Sequence, residues 1–264
     1  MSTHKPRKRF GQNFLQDPFA IRQIVDAINP RENDHLIEIG PGLGSITTSL
    51  LPFVAKLDAI ELDRDLIPKL ETKFNNKSNF IIHQADILQF DLPSIIPNKS
   101  KARIVGNLPY NISTPLLFKL LDYRYNILDL HFMVQKEVAD RLAATPGGEN
   151  YGRLSVMIQY YYMVEFLFEV KPTCFKPAPK VNSAFIRLIP HEKPKEIPMN
   201  FELFKDLTTK AFNQRRKTIH NSLKSMFAKE DFVKLNIDPT LRAENLSIED
   251  YIKLSNYLVN NNPT

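Results

Sequence analysis

A single cysteine, Cys174, stands in 264 residues, which excludes an internal disulfide and any zinc site built from several thiolates. One free thiol suits a reducing compartment. No apolar run approaches the roughly 20 residues of a membrane helix. The basic residues 1–9 lead through Phe10 and Gly11 into polar sequence, not into the apolar core of an export signal. The expectation is a cytoplasmic protein with no membrane contact. All eight glycines lie at or before Gly152, so the last third lacks the glycine turns of a β domain. Internal repeats and low-complexity tracts are absent as well. His131 and His220 have no ligand spacing, and no metal is expected.

What the chain does have is the balance of an ordinary globular protein, 43% hydrophobic and 24% charged residues. Its net charge of +6 and pI near 9.2 suit a protein that handles a polyanion. The positive residues gather at Lys5, Arg7, Lys8 and Arg9 and again at Arg215, Arg216 and Lys217. A solvated tail and a solvated helix face would look the same.

Short apolar runs at 35–39, 57–62, 80–83, 103–105 and 130–134 alternate with amphipathic stretches, the pattern of a mainly parallel sheet covered by helices on both faces. Two further β-rich runs, 160–170 and 184–189, follow with a proline-rich loop between them, and they read as a closing antiparallel pair. Residues 190–198 hold three prolines and four charges before helical periodicity resumes at Phe201. The expected fold class is therefore α/β, a Rossmann-like sheet with an antiparallel last strand, plus a small all-α C-terminal domain. The expected boundaries are a catalytic domain over 1–190, a linker over 191–198 and a helical domain over 199–264.

Glu38-Ile39-Gly40-Pro41-Gly42-Leu43-Gly44 follows a predicted strand and precedes a helix expected to begin near Ser45. Glycine is needed where backbone turns sharply or a ligand lies against it, and a helix N-terminus offers N–H groups to a carboxylate. A nicotinamide fingerprint starting at Gly40 would need a third glycine where Ser45 stands. The spacing instead resembles the E-x-G-x-G of class I methyltransferases. Glu61, at the end of the next strand and roughly 20 residues on, is placed to accept from both ribose hydroxyls, a feature that marks ribose without separating a methyl donor from NAD. Asp86, after the third strand, is placed to accept from an adenine amine. Either acid, taken singly, reads equally as a strand-end cap.

Asn107-Leu108-Pro109-Tyr110 closes the fourth of the alternating strands, and by itself reads as a strand-ending turn. Behind a methyl-donor loop the same tetrad suits an adenine N6, whose lone pair is delocalised and poorly nucleophilic. The Asn107 side-chain oxygen and the Leu108 carbonyl would accept both N6 protons and aim the lone pair; Pro109 would stiffen the acceptors. Tyr110 would stack on a base that has left its helix. Displacement at a sulfonium carbon needs positioning more than a strong base. Phe175, on the proline-rich loop, is either local core or a cover for the base's opposite face; in the second case Lys176 and Lys180 meet phosphates.

With these residues the chain resembles the KsgA-type ribosomal RNA adenine N6-dimethyltransferases. The resemblance runs from Arg9 to about Leu223. It rests, in order, on residues 8–15 (KRFGQNFL), 38–44, 107–114, 151–156 (YGRLSV), the Phe175 loop and 211–217 (AFNQRRK). It implies S-adenosylmethionine as methyl donor, with contacts at Asn13, Leu15, Gly40, Glu61, Asp86 and Asn107, alongside Gln12, Glu38, Gly42 and Gly44. Gln12 and Asn13 enter through the resemblance alone. It implies as substrate two adjacent adenines in the loop of the 3′-terminal hairpin of small-subunit (16S) rRNA, modified late in subunit assembly in a pre-30S-like particle. A monomer is expected, although the sequence carries no sign of oligomeric state. Asn182 departs from the acid common at that position, with loop packing the expected consequence. Lys8, Arg9, Lys176, Lys180, Arg215, Arg216 and Lys217 are the expected rRNA-binding residues.

Three other readings share parts of this evidence. An Erm-like resistance enzyme, a methyltransferase of large-subunit rRNA, has the same fold, donor and tetrad, but Leu108 and the Arg215 segment favour the small-subunit type. A mitochondrial relative that assists transcription would need a transit peptide, for which little room precedes Gly11. An assembly checkpoint, acting chiefly by binding, is compatible with catalysis.

Overall fold

The computed structural model describes residues 12–97, 100–193, 196–214 and 216–261. Lys8, Arg9 and Arg215, three of the expected RNA-binding residues, lie outside them. The chain divides into two compact units. The first comprises the described residues up to Ala139 together with Met163–Pro190, and the second Asp140–Tyr162 with the described residues from His191 on.

In the first unit β1 (Phe14–Leu15) and α1 (Pro18–Ile28) precede the alternating elements β2 (His35–Ile39), α2 (Ser45–Leu50), β3 (Lys56–Glu61), α3 (Ile67–Phe74), β4 (Phe80–Gln84), β5 (Ala102–Asn107), α4 (Ser113–Asp122) and β6 (Ile127–Gln135). Helices α5 (Lys136–Leu142) and α6 (Arg153–Gln159) follow, then β7 (Tyr162–Val170), β8 (Phe175–Lys176) and β9 (Ser183–Pro190). Seven strands form one sheet in the order β4-β3-β2-β5-β6-β9-β7, while β1 pairs antiparallel with β8 in a separate ribbon. Strands β4, β3, β2, β5 and β6 are mutually parallel and β9 runs antiparallel to β6. Leu36, Ile37 and Ile39 of β2 and Leu57, Ala59 and Ile60 of β3 are all buried. Both faces of these strands are covered, which is why they read as continuous apolar runs in sequence.

Local chemistry sets the helix ends. The Asp17 side chain caps α1 by accepting from the Ala20 N–H at 2.7 Å, Pro18 opens its first turn, and Asn29 closes it in the left-handed region. The last turn of α1 is then fastened by Arg103 of β5, whose side chain is only 8% exposed. Its Nε and Nη2 donate to the two Asp129 oxygens at 2.9 and 3.0 Å, and its Nη1 donates to Asp34 at 2.7 Å. Nη1 and Nη2 also donate to the Asn29 and Ile28 carbonyls at 3.2 and 2.6 Å. Every guanidinium N–H therefore has an acceptor. Burial alone would raise the Asp129 carboxyl, but His131 and Arg103 outweigh it and hold the group down at about 2.

The second unit gathers α6 with α7 (Phe201–Phe212), α8 (Ile219–Leu223), α9 (Lys229–Lys234) and α10 (Ile248–Asn261). Here the structure corrects the expected boundaries, because residues 140–162 belong with the C-terminal helices. The Gln159 amide donates to the Leu142 and Ala144 carbonyls, both at 2.7 Å, and folds the segment back on itself. Tyr160 packs its ring against Phe201 and Phe204, and Tyr151 against Phe212. Tyr160 and Tyr161, expected to open a strand, serve this aromatic cluster, and β7 begins only at Tyr162. The described part of the expected linker is also tied down: His191 N–H donates to the Tyr161 carbonyl and Met199 N–H to the Asn256 side chain. Among the described residues no helix is long and apolar enough to cross a membrane.

Replacing Arg103 by Met removes the bidentate partner of the Asp129 carboxylate, which keeps only the longer contacts to His131 and Arg187, and takes the guanidinium donors from the carbonyls at the end of α1. The expected loss is about 3 to 5 kcal/mol of unfolding free energy in a denaturant titration. A loss below about 1 kcal/mol would place this pair with ordinary surface ion pairs.

Candidate active site

The carboxyl ends of β2, β3 and β5 open onto a crevice of about 330 Å³, the place where open α/β sheets bind ligands. Gln12, Asn13, Leu15, Glu38, Gly40, Gly42, Glu61, Asp86 and the tetrad Asn107 to Tyr110 all line it. Residues separated by most of the first unit's sequence are thus brought together, whereas Gly44, also an expected cofactor contact, does not line the crevice and is packed against Phe74 and Leu70.

The glycine loop works by two different means. Gly40, Gly42 and Gly44 all lie in the left-handed region, with φ of 67°, 59° and 72°. A Cβ on Gly40 would meet nothing within 4 Å, so that side is open to a ligand. A Cβ on Gly42 would come within 2.9 Å of the Phe14 ring, so this glycine makes room for the protein's own N-terminal segment.

Two carboxylates line the crevice beside the loop, Glu38 and Glu61. Glu38 is buried and accepts from the Thr47 hydroxyl at 2.6 Å. Burial pushes its pKa up to about 7, against the Thr47 hydrogen bond and with the help of the neighbouring Glu61 charge. Glu61 accepts from the Gly42 N–H at 3.2 Å and the Asp63 N–H at 2.8 Å, which joins the end of β3 to the loop. Its pKa is also raised by burial. Asp86 accepts from the Leu88 N–H at 2.9 Å, so one of its oxygens does cap a turn.

At the end of β5 the Asn107 amide nitrogen donates to the Asn13 carbonyl at 2.9 Å. That commitment leaves the amide oxygen as the group's acceptor. Leu108 N–H donates to the Met133 carbonyl, and the Pro109 carbonyl accepts from Ile112 N–H and the Ser113 hydroxyl. The Tyr110 hydroxyl meets Ser183 Oγ at 2.8 Å. Burial raises the Tyr110 phenol's pKa against this hydrogen bond.

Phe175 is placed otherwise than as a cover for a base. Leu15 pairs with it across the β1–β8 ribbon, and it is only 6% exposed, in the core cluster that includes Phe14, Leu15 and Phe185. It does not line the crevice, so the local-core reading holds. Lys176, Lys180, Arg216 and Lys217 are exposed. Asn182 sits where its carbonyl accepts from Lys136 N–H, in keeping with a packing role.

Two contributors escaped the sequence reading. Leu62 lines the crevice while 49% exposed, an apolar side chain in the open next to Glu61. Its position directly after the strand-ending acid was the available signal. Asp63 is buried and accepts from the Gln12 amide at 2.9 Å, which fastens the N-terminal segment beside the crevice. No spacing rule pointed to that pair.

A parallel sheet with an antiparallel β9 and a glycine loop between two carboxylates defines a class I methyltransferase, an enzyme that takes its methyl group from S-adenosylmethionine. The crevice fits that donor: the open side of Gly40, a carboxylate for ribose hydroxyls and apolar walls at Leu62 and Ile87. The profile of the family described as "Ribosomal RNA adenine dimethylase" matches residues 3–260, and the chain belongs to that family. It is 52% identical over 255 residues to the "Ribosomal RNA small subunit methyltransferase A" of Pseudomonas aeruginosa, covering 97% of this chain and 95% of the relative. The protein of the same name from Marinobacter nauticus is 52% identical over 258 residues, covering 97% and 92%. Among solved structures, a dimethyladenosine transferase from Plasmodium falciparum superposes with a TM-score of 0.80 at 27% identity, covering 91% of this chain and 95% of that one. The 23S rRNA methyltransferase ErmE shares the fold, with a TM-score of 0.75 at 24% identity, covering 93% and 99%.

The raised Glu38 carboxyl gives donor binding a pH dependence. S-adenosylmethionine is cationic and favours the ionised form, so below about 7 its binding must expel the Glu38 proton. The dissociation constant measured by calorimetry is expected to rise by up to about tenfold per pH unit as pH falls below that value. Without donor the sign is reversed: the folded state holds the proton more tightly than the unfolded one. Glu38's contribution to stability therefore falls as pH rises from 4.5 to about 7. A dissociation constant that stays flat across this range would remove Glu38 from the donor's electrostatics.

Proposed function

We propose that the protein dimethylates the N6 amines of two adjacent adenines in the loop of the 3′-terminal hairpin of small-subunit rRNA, late in assembly, acting as a monomer in the cytoplasm on a pre-30S-like particle. The chain is an S-adenosylmethionine-dependent adenine dimethyltransferase of ribosomal RNA. Relatives about half identical across nearly the whole chain, all named for the small subunit, support that subunit as the target.

The observation that carries the catalytic reading is the hydrogen bond from Asn107 to the Asn13 carbonyl. A free carboxamide presents nitrogen or oxygen with equal ease; this one has its nitrogen engaged, and its oxygen is left to accept from an N6–H. The Leu108 carbonyl takes the second N6 proton, and two such bonds draw electron density onto the nitrogen. Pro109 limits the backbone between them. Tyr110, with its hydroxyl engaged by Ser183, offers its ring to the unstacked base, worth roughly 1 to 3 kcal/mol.

Bound S-adenosylmethionine supplies an electrophilic methyl carbon. The residues of this chain that hold it are Glu61 for the ribose, Asp86 for the adenine amine, Leu62 and Ile87 for the ring faces, and Gln12, Asn13, Leu15, Glu38 and the glycine loop around the rest. Phe175 has no part in this reading. Exposed Lys176, Lys180, Arg216 and Lys217 contact rRNA phosphates, together with Lys8, Arg9 and Arg215. These contacts make binding fall steeply with salt.

Immature small subunits incubated with the protein and isotope-labelled donor, followed by mass spectrometry of the rRNA, are expected to show two adjacent dimethyladenines in the terminal loop. Asn107→Ala is expected to lower that rate at least about a hundredfold, the scale for removing one positioned polar group, while pre-subunit binding persists. Loss of binding together with methylation would refute the assignment of Asn107 to chemistry. Arg216→Glu with Lys217→Glu is expected to weaken rRNA binding and flatten its salt slope, and an unchanged slope would take these residues out of the interface.

A further inference from the structure

The glycine loop carries one cation whose position no part of the reaction explains. Lys73 lies in the last turn of α3, where a positive charge complements the exposed carbonyls of the helix end. Its ammonium reaches across to the neighbouring loop, donating to the Leu43 carbonyl at 3.0 Å and the Gly44 carbonyl at 3.1 Å. Its stem runs past Phe74, with Nζ 5.3 Å from the ring centroid. The same ring stands 2.9 Å from where a Gly44 Cβ would be, so α3 and the loop are in close contact at this point.

We infer that Lys73 is a positioning residue for the methyl donor: its two hydrogen bonds hold the Leu43–Gly44 end of the loop in its binding conformation, and its charge supports the buried Glu38 carboxylate on the crevice wall. The geometry supplies two independent reasons. Gly44 is left-handed and begins a helix of only six residues, with no side-chain cap at that end. Such a short helix has little stability of its own to fix the loop. The ammonium, by bonding the two successive carbonyls that flank the Gly44 Cα, fastens the turn from outside.

The second reason is electrostatic. Three charged or hydroxylic side chains act on the buried Glu38: the Thr47 hydroxyl of α2, the Glu61 carboxylate of β3 and the Lys73 ammonium of α3. Glu61 opposes ionisation of Glu38; Thr47 and Lys73 favour it. Lys73 is the only full positive charge among them. Burial in turn lowers the Lys73 pKa, and the Glu38 charge works against that. Without the ammonium, the Glu38 carboxylate would meet the Glu61 charge with the Thr47 hydroxyl and backbone N–H in support.

The inference rests on the reading that this crevice takes S-adenosylmethionine, and the test separates the two. Donor affinity is measured by calorimetry and steady-state kinetics on the full chain for the unmodified protein, Lys73→Met and Lys73→Arg. Methionine keeps an apolar stem beside Phe74 and removes the charge. Lys73→Met is expected to raise the donor's dissociation constant and KM about tenfold, the scale of a lost charge-assisted hydrogen bond. The rate at saturating donor is expected to change far less, and the pH midpoint of binding to move upward. Lys73→Arg is expected to restore both affinity and midpoint. Unchanged affinity and midpoint in Lys73→Met would overturn the inference, as would a loss at saturating donor as large as the loss in affinity. Failure of the unmodified protein to bind the donor would instead overturn the reading of the crevice.

Discussion

The catalytic reading of the crevice depends on a bond made by a group that is not itself reactive, the Asn13 backbone carbonyl accepting from Asn107. An amide side chain at a strand end has two nearly isosteric faces with opposite hydrogen-bonding character. Only an external acceptor distinguishes them. That acceptor is useful only if it is stationary, and the N-terminal segment is held on both sides of Asn13. Gln12 donates to buried Asp63, and Phe14 and Leu15 pair with Lys176 and Phe175. Gly42 belongs to the same arrangement, since any side chain there would press on Phe14. The orientation of one amide is thus distributed over β1, β3, β5, β8 and the glycine loop.

Much of this was legible in the sequence because parallel strands buried on both faces write themselves as apolar runs. Every alternating strand from residue 35 to 135 was found, and so was the glycine loop that follows the first of them. The tetrad and both carboxylates line the crevice because strand ends converge there by topology. What was not legible depends on contacts remote in sequence. The aromatic residues Tyr151, Tyr160, Phe201 and Phe212 carry no mark that they meet, so residues 140–162 read as part of the sheet domain, whereas they belong with the helices. Phe175 sits on a loop in the sequence and in the core in space, because two short ribbon strands too brief to show periodicity draw it inward. Arg103 reads as a charge inside an apolar strand, and only the structure reveals Asp129, Asp34 and two helix-end carbonyls around it.

Two charged clusters of the first unit differ in kind. The cluster around Arg103 is closed: Asp129, Asp34 and two carbonyls take every guanidinium N–H, and His131 with Arg103 drives the Asp129 carboxyl down to about 2. Glu38 with Glu61 is open: like charges lie together under burial, and Glu38 is driven up to about 7. The first arrangement is suited to fixing structure. The second stores an unfavourable interaction that a cationic ligand relieves, and such perturbation marks sites that do chemistry. Both occur in the same sheet, at opposite ends of β2 and β5, so stability and ligand response are kept apart along the strands.

The ribbon that joins Phe14 to Lys176 has a consequence for how the protein is made. A ribosome delivers the N-terminus first, and β1 has no strand partner until more than half of the chain has been synthesised. Contacts so distant in sequence form late and slowly. The wall that Asn13 contributes is therefore finished only after the sheet strands up to β7 have been made, and a nascent chain passes through the earlier part of its synthesis without a completed catalytic pocket.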